Sequence, residues 1–118
     1  MVTPSSAKGA AFERLIIDYL RQHCGAHLAR PRAGAARDLG DVAGIPGWTL
    51  EIKCRTDLHE AVSRGLRELA LEQANAGTPH GALVVKRRGV GAPERQLFVT
   101  ELGTALPLIL STNHRGTP

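Results

Sequence analysis

Aromatic residues are scarce: two Phe, one Tyr and one Trp in 118 residues. With only Phe12, Tyr19, Trp48 and Phe98 to draw on, a stacking platform for single-stranded bases is poorly supported. Cysteine is scarcer still. Cys24 and Cys54 stand 30 positions apart with no CxxC pair, which suggests neither a disulfide framework nor a zinc ribbon and reads as reduced thiols. No apolar stretch approaches the roughly 20 residues a membrane-spanning helix needs, so a soluble chain with no membrane partner is expected. The start, Met1 to Ala7, lacks the charged head and apolar middle of a secretory signal, so a cytoplasmic location is expected. At 118 residues the chain has room for one hydrophobic core and not for two domains of ordinary size.

What is present is a basic excess, +4 at pH 7, distributed in clusters. Arg30, Arg32 and Arg37 fall in one loop rich in Gly, Ala and Pro, and Lys86, Arg87 and Arg88 close an apolar run. Both clusters can neutralise phosphates, and both are equally compatible with a solvated surface.

The hydrophobic pattern predicts the order helix, hairpin, helix, strand, strand, helix. Ser5 or Ser6 caps a first helix reaching about His23, with Phe12, Leu15, Ile16, Tyr19 and Leu20 on one face and Gly25 as its stop. After the basic loop, LGDVAGIPGWTLEIKCR has the outline of a hairpin, with strands near 40–44 and 48–55 about the turn Gly44 to Gly47. A second amphipathic helix runs from Leu58 to about Ala76 and ends at Gly77-Thr78-Pro79. It leads into the buried strand Ala82 to Val85, which would pair in parallel with the preceding strand through a right-handed crossover. A turn at 89–93 and a strand at 95–100 follow, then a short helix from Leu102 to Leu110 disturbed by Pro107. The expectation is an α/β fold, one domain over residues 1–110 with a mixed sheet flanked by helices, and a flexible tail at 111–118.

Alternation along the second hairpin strand points Trp48, Leu50, Ile52 and Cys54 one way, and Thr49, Glu51, Lys53 and Arg55 the other. A carboxylate and an ammonium two residues apart on one face of a central strand need a reason to be there. On their own they suit a salt bridge on a half-exposed sheet. Asp41, after Gly40 on the preceding strand, adds a second acid across the hairpin. Two carboxylates held close repel unless a proton or cation intervenes, and such hard oxygen ligands suit magnesium, with manganese as a substitute. Asp41 and Glu51 would hold the ion with the Ile52 carbonyl as a further ligand, and Lys53 would orient the attacking water. Glu13, at the border of the first helix's apolar face, is a fourth candidate, equally readable as a helix-surface acid.

The set Glu13, Gly40-Asp41-Val42 and Glu51-Ile52-Lys53 resembles the PD-(D/E)XK nuclease superfamily. With Lys8-Gly9-x-x-x-Glu13-Arg14 and the arginine-bearing loop, residues 7 to 88 resemble archaeal-type Holliday junction resolvases and their phage relatives. The resemblance implies a restriction-endonuclease-like fold and Mg-dependent phosphodiester cleavage of branched DNA, four-way junctions above all, by a homodimer with Glu13, Asp41, Glu51 and Lys53 as the matching catalytic positions. It implies DNA contacts from Lys8, Arg14, Arg30, Arg32, Arg37, Arg55, Lys86, Arg87 and Arg88, in recombination or repair within a bacterial, archaeal or phage-infected cell. Gly40 stands where proline is usual, and the loop offers Ala33, Gly34, Ala35 and Ala36 where those resolvases commonly carry a serine.

Other signals are weaker. His23, Cys24 and His27 form a helix-end cluster without the second half a zinc site requires. Gln73 is a candidate for the site or the DNA, and Trp48 for the core or a dimer interface. Gly89 to Ala92 is a turn rather than a phosphate loop, since no Lys-Ser/Thr helix follows. Two readings compete with a resolvase: a restriction-like or repair nuclease on another DNA structure, and a non-catalytic DNA-binding module in which the acids are remnants.

Overall fold

The computed structural model describes residues 4–25, 27–28, 42 and 45–116. Among them are helix α1 (Pro4–Cys24), strand β1 (Trp48–Lys53), helix α2 (Leu58–Ala76), strand β2 (His80–Val85), strand β3 (Leu97–Val99) and helix α3 (Leu102–Gly116). The strands form a mixed sheet in the order β1-β2-β3. β1 and β2 run parallel in the register Trp48↔His80 to Lys53↔Val85, and β3 returns antiparallel with Val84↔Phe98. Of the first hairpin strand expected at 40–44, Val42 is described, and it bridges Leu50 in the antiparallel sense.

The sheet lies between α1 and α2. On one face Phe12, Ile16 and Ile17 of α1 pack with Val42, Leu50, Ile52, Ala82 and Val84. On the other, Ala61 and Leu69 of α2 pack with Leu83 and Val85. The central strand β2 therefore has both faces covered, which is why HGALVV is continuously apolar after His80 rather than alternating. β1 is different: its α1 side is Leu50 and Ile52, and its α2 side is Thr49, Glu51 and Lys53. Thr49 is buried with its hydroxyl 2.6 Å from that of Thr78, so both polar groups are satisfied where the chain re-enters the sheet.

α2 has the boundaries its periodicity predicts, because both ends are capped. The Asp57 side chain accepts from the Glu60 amide at 3.0 Å. At the far end Gly77 takes the left-handed conformation (φ 69°), and the amides of Gly77 and Thr78 both donate to the Gln73 carbonyl. The turn between β2 and β3 is held by two side chains. Lys86 donates through Nζ to the carbonyls of Arg87 and Val90, while Gln96 accepts from the Arg87 amide and donates to Val90 and Ala92.

Two expectations about the C-terminus are corrected. The helix does not stop at Leu110, and residues 111 to 116 are helical rather than a frayed tail, with Thr112 donating to the Leu108 carbonyl at 3.0 Å. Pro107 lies inside the helix; lacking an N–H it forfeits one backbone bond, and the turns on either side persist. Asp57→Ala is expected to lower stability by about 1 kcal/mol, read as a shift of the urea midpoint at unchanged m-value, since it removes the α2 cap without touching the core.

Candidate metal centre

Strand alternation places Glu51 and Lys53 on the face of β1 that α2 covers. The helix answers with two acids one turn apart, Glu68 and Glu72, on the side it turns toward the strand. One carboxylate oxygen from each of Glu51, Glu68 and Glu72 lies within 4.8 Å of the other two. Glu51 is 7% exposed and Glu72 fully buried. Lys53 donates through Nζ to Glu68 Oε2 at 2.5 Å, with side-chain exposures of 12% for the lysine and 40% for the glutamate. The group is thus enclosed at Glu72 and opens to solvent at Glu68.

Close approach of helix and strand is permitted by Gly65. A Cβ there would stand 2.9 Å from Leu83 Cδ1 and 3.5 Å from Lys53 Cε, so the absent side chain leaves the path along which Lys53 reaches Glu68. Leu83 is fully buried and has nowhere to withdraw.

The donor set fits a divalent ion. Ionised, three carboxylates and one ammonium leave two negative charges, which one such ion would neutralise. Carboxylate oxygens are the hard ligands that such an ion takes, and water would complete its shell. Among the described residues this is the group of acids, histidines and cysteines that lies close enough together to hold one. His23, Cys24 and His27 are all exposed and do not form a comparable set; His23 instead packs against Tyr19, ring centroids 4.7 Å apart.

Of the expected catalytic positions, Glu51 and Lys53 come together beneath α2. Asp41, and with it Arg30, Arg32 and Arg37, lies outside the described residues. Glu13 does not join the group. It sits half-buried on α1, whose apolar side covers the opposite face of the sheet, so the alternation that buries Leu50 and Ile52 against α1 turns Glu51 away from it. Ile52, proposed to lend its carbonyl, pairs with Val84 in the β1–β2 ladder. Gln73 packs over Gly81, filling the space a Cβ would take at the start of β2. Trp48 lies at the border of the α1-side core, with the rings of His80 and Phe98 5.0 and 5.9 Å away.

Glu68 and Glu72 escaped the sequence reading, although a signal existed. Glu72 continues the stripe Ala61, Gly65, Leu69 at helical spacing, and a carboxylate on a helix's buried stripe is as anomalous as one inside a strand.

A second feature lies where β1 and β2 end. A cleft of about 1110 Å³ is lined by Lys8 of α1, Arg55 just after β1, Lys86, Arg87 and Arg88 after β2, and the first turn of α2. Ligands of open α/β sheets bind outside the carboxyl ends of parallel strands, and here that position is basic. Lys86 is also committed to the turn it ties down, and Arg87 donates to the Arg95 carbonyl, whereas Arg55 and Arg88 are exposed. Arg14, exposed on α1, does not line the cleft.

Comparison with protein-family models, curated proteins and solved structures finds no match to this chain.

Gly65→Ala is expected to destabilise by about 1–2 kcal/mol despite alanine's better helix propensity, because the methyl group overpacks against Leu83. A rise in the thermal midpoint would mean that Leu83 repacks freely. Millimolar Mg²⁺ or Mn²⁺ is expected to raise the melting temperature by several degrees over chelator in the native chain and not in Glu72→Gln, as scanning calorimetry would record.

Proposed function

We propose that this chain is a metal-dependent endonuclease of restriction-endonuclease-like fold that cleaves phosphodiester bonds in branched DNA, with four-way junctions as the favoured substrate and a homodimer as the working form. The observation that carries the reading is the convergence of Glu51, Glu68 and Glu72 with Lys53. The basic cleft at the strand ends supports it, because Lys8, Arg55 and Arg88 there supply the phosphate contacts such a substrate needs.

In this reading Glu51, Glu68 and Glu72 would hold a magnesium ion, together with Asp41, the acid expected from the sequence. Bound there, the ion would polarise a phosphoryl oxygen and make a water more acidic. Lys53, released from or shared with Glu68, places an ammonium at the solvent-facing side of the group, where it can orient water and offset charge on the phosphorane. Glu72, fully buried, keeps the helix side of the group dry and strengthens these electrostatic terms. Glu13 has no part in this arrangement beyond α1.

One observation favours a second reading, a DNA-binding module without catalysis. Glu72 is enclosed and Lys53 is engaged with Glu68, so the four side chains also make sense as a charge network that pins α2 to β1. Under that reading DNA binding is indifferent to metal and survives Glu51→Ala. A restriction-like or repair nuclease on another DNA structure would share the site and differ in substrate alone.

The test is a cleavage assay on matched four-way junction, flap and linear duplex DNA, with Mg²⁺ and with chelator. Glu51→Ala and Lys53→Ala are expected to reduce cutting by at least about a hundredfold while leaving DNA affinity within a few fold. Full activity in both variants would sink the nuclease reading. Arg55→Ala and Arg88→Ala are expected each to reduce the slope of log affinity against log salt by about one, measured by fluorescence anisotropy.

A further inference from the structure

A cation of the chain's own is already seated against the acids beneath α2. The largely buried side chain of Lys53 passes Gly65, where its Cε would lie 3.5 Å from an added Cβ, and reaches Glu68 Oε2 at 2.5 Å. Glu68 in turn offers one carboxylate oxygen within 4.8 Å of one from Glu51 and one from Glu72. A single carboxylate therefore belongs to two arrangements, an ion pair with the lysine and a group that could take a divalent ion. The three acids differ in their freedom to change partner. Glu72 is fully buried, and Glu51 is buried on a strand paired along its length with β2, so both are held in place. Glu68 stands at the open edge with its side chain 40% exposed, and the ammonium opposite it ends a flexible four-carbon stem.

We propose that Lys53 is an exchangeable counter-ion: it holds Glu68 until a divalent ion is bound, then gives the carboxylate up and moves toward solvent. The inference rests on the metal reading given above and deepens it by naming what regulates the site. Carboxylates gathered this closely repel one another unless positive charge offsets them, and Lys53 supplies one such charge before any metal is bound. With an ion on Glu68, two further positive charges would stand beside that ammonium in surroundings largely closed to water, where like charges repel far more strongly than in bulk solvent. Pairing and metal binding then oppose each other by the same factor, because coupling between two partners of one group is reciprocal. The consequence is a threshold. At low metal the lysine is held under α2, and only in the loaded state is its ammonium free on the solvent-facing side, where a phosphodiester would meet it.

Two measurements on the full chain test this. In isothermal titration calorimetry, Lys53→Met is expected to bind Mn²⁺ more than about tenfold more tightly than the native chain, since the competing charge is gone while the stem beside Gly65 is kept. Arg64→Met removes an equal charge from α2, but Arg64 is exposed and pairs with Glu60 at 3.1 Å, so its loss should change the affinity by less than about threefold. Glu72→Gln should abolish binding, which assigns the heat to this site. The second measurement needs no variant. Acetylation of the native chain by N-hydroxysuccinimidyl acetate, read by peptide mass spectrometry, should proceed at Lys53 at least about fivefold faster in saturating Mn²⁺ than in chelator. Lys8 and Lys86, the other two lysines, should keep their rates. An affinity in Lys53→Met at or below the native value, with binding still lost in Glu72→Gln, would overturn the exchange and leave the metal reading standing. An equal gain in Arg64→Met would do the same, as would labelling of Lys53 that ignores the ion. Absence of saturable Mn²⁺ binding in the native chain and in Lys53→Met alike would overturn both.

Discussion

The ion pair between Lys53 and Glu68 is the contact on which the middle of this molecule depends. β1 buries Leu50 and Ile52 against α1, and the two-residue period of a strand then obliges Glu51 and Lys53 to face α2. A helix covering such a face has to bring groups that match it. Glu68 meets the lysine, Gly65 clears its path, and Glu72 extends the acid group into the interior. With Glu68 40% exposed, water screens the pair and its own contribution is about 1 kcal/mol or less; what it fixes is which residues of the two elements face each other.

Glu51, Glu68 and Glu72 gather beneath α2, whereas in the cleft beyond the ends of β1 and β2 the bases Lys8, Arg55, Lys86, Arg87 and Arg88 outnumber Asp57 and Glu60. For a polyanionic ligand the consequences are opposite. The cleft attracts phosphate over a Debye length, while the carboxylates repel it until a cation has been taken up. The proposed metal requirement therefore has an electrostatic origin as well as a chemical one: without an ion, the group that would act on the phosphodiester is the group that excludes it.

The two helices flanking the sheet and the third beyond it differ in how their apolar residues are used. α1 and α2 bury theirs against opposite faces of the sheet, whereas Leu102, Leu106, Leu108, Ile109 and Leu110 of α3 are exposed. Pro107 does not interrupt that helix, because proline removes a single donor and the residues on either side keep their helical bonds.

Much of the layout was legible in local pattern. α2 could be read to its end residues because Asp57, the apolar period and Gly77 are signals carried within the segment itself. β1 was legible from its alternation, and with it the pairing of Glu51 and Lys53 on one face. The alignment of Glu68 and Glu72 with those two residues was not, since it depends on which turn of α2 lies over which residue of β1. That register is decided by how Gly65, Leu69 and Leu83 pack, across elements joined by no local periodicity. The place of Glu13 was ambiguous for the complementary reason: a residue at the border of an apolar helical face can be set on either side of a sheet, and the packing of α1 against Leu50 and Ile52 decides which face its helix covers. The sequence by itself determined the elements and the faces of β1, because those follow from periods of two and of 3.6 residues; which acids share a site was decided by tertiary structure, because only packing sets the register of one element against another.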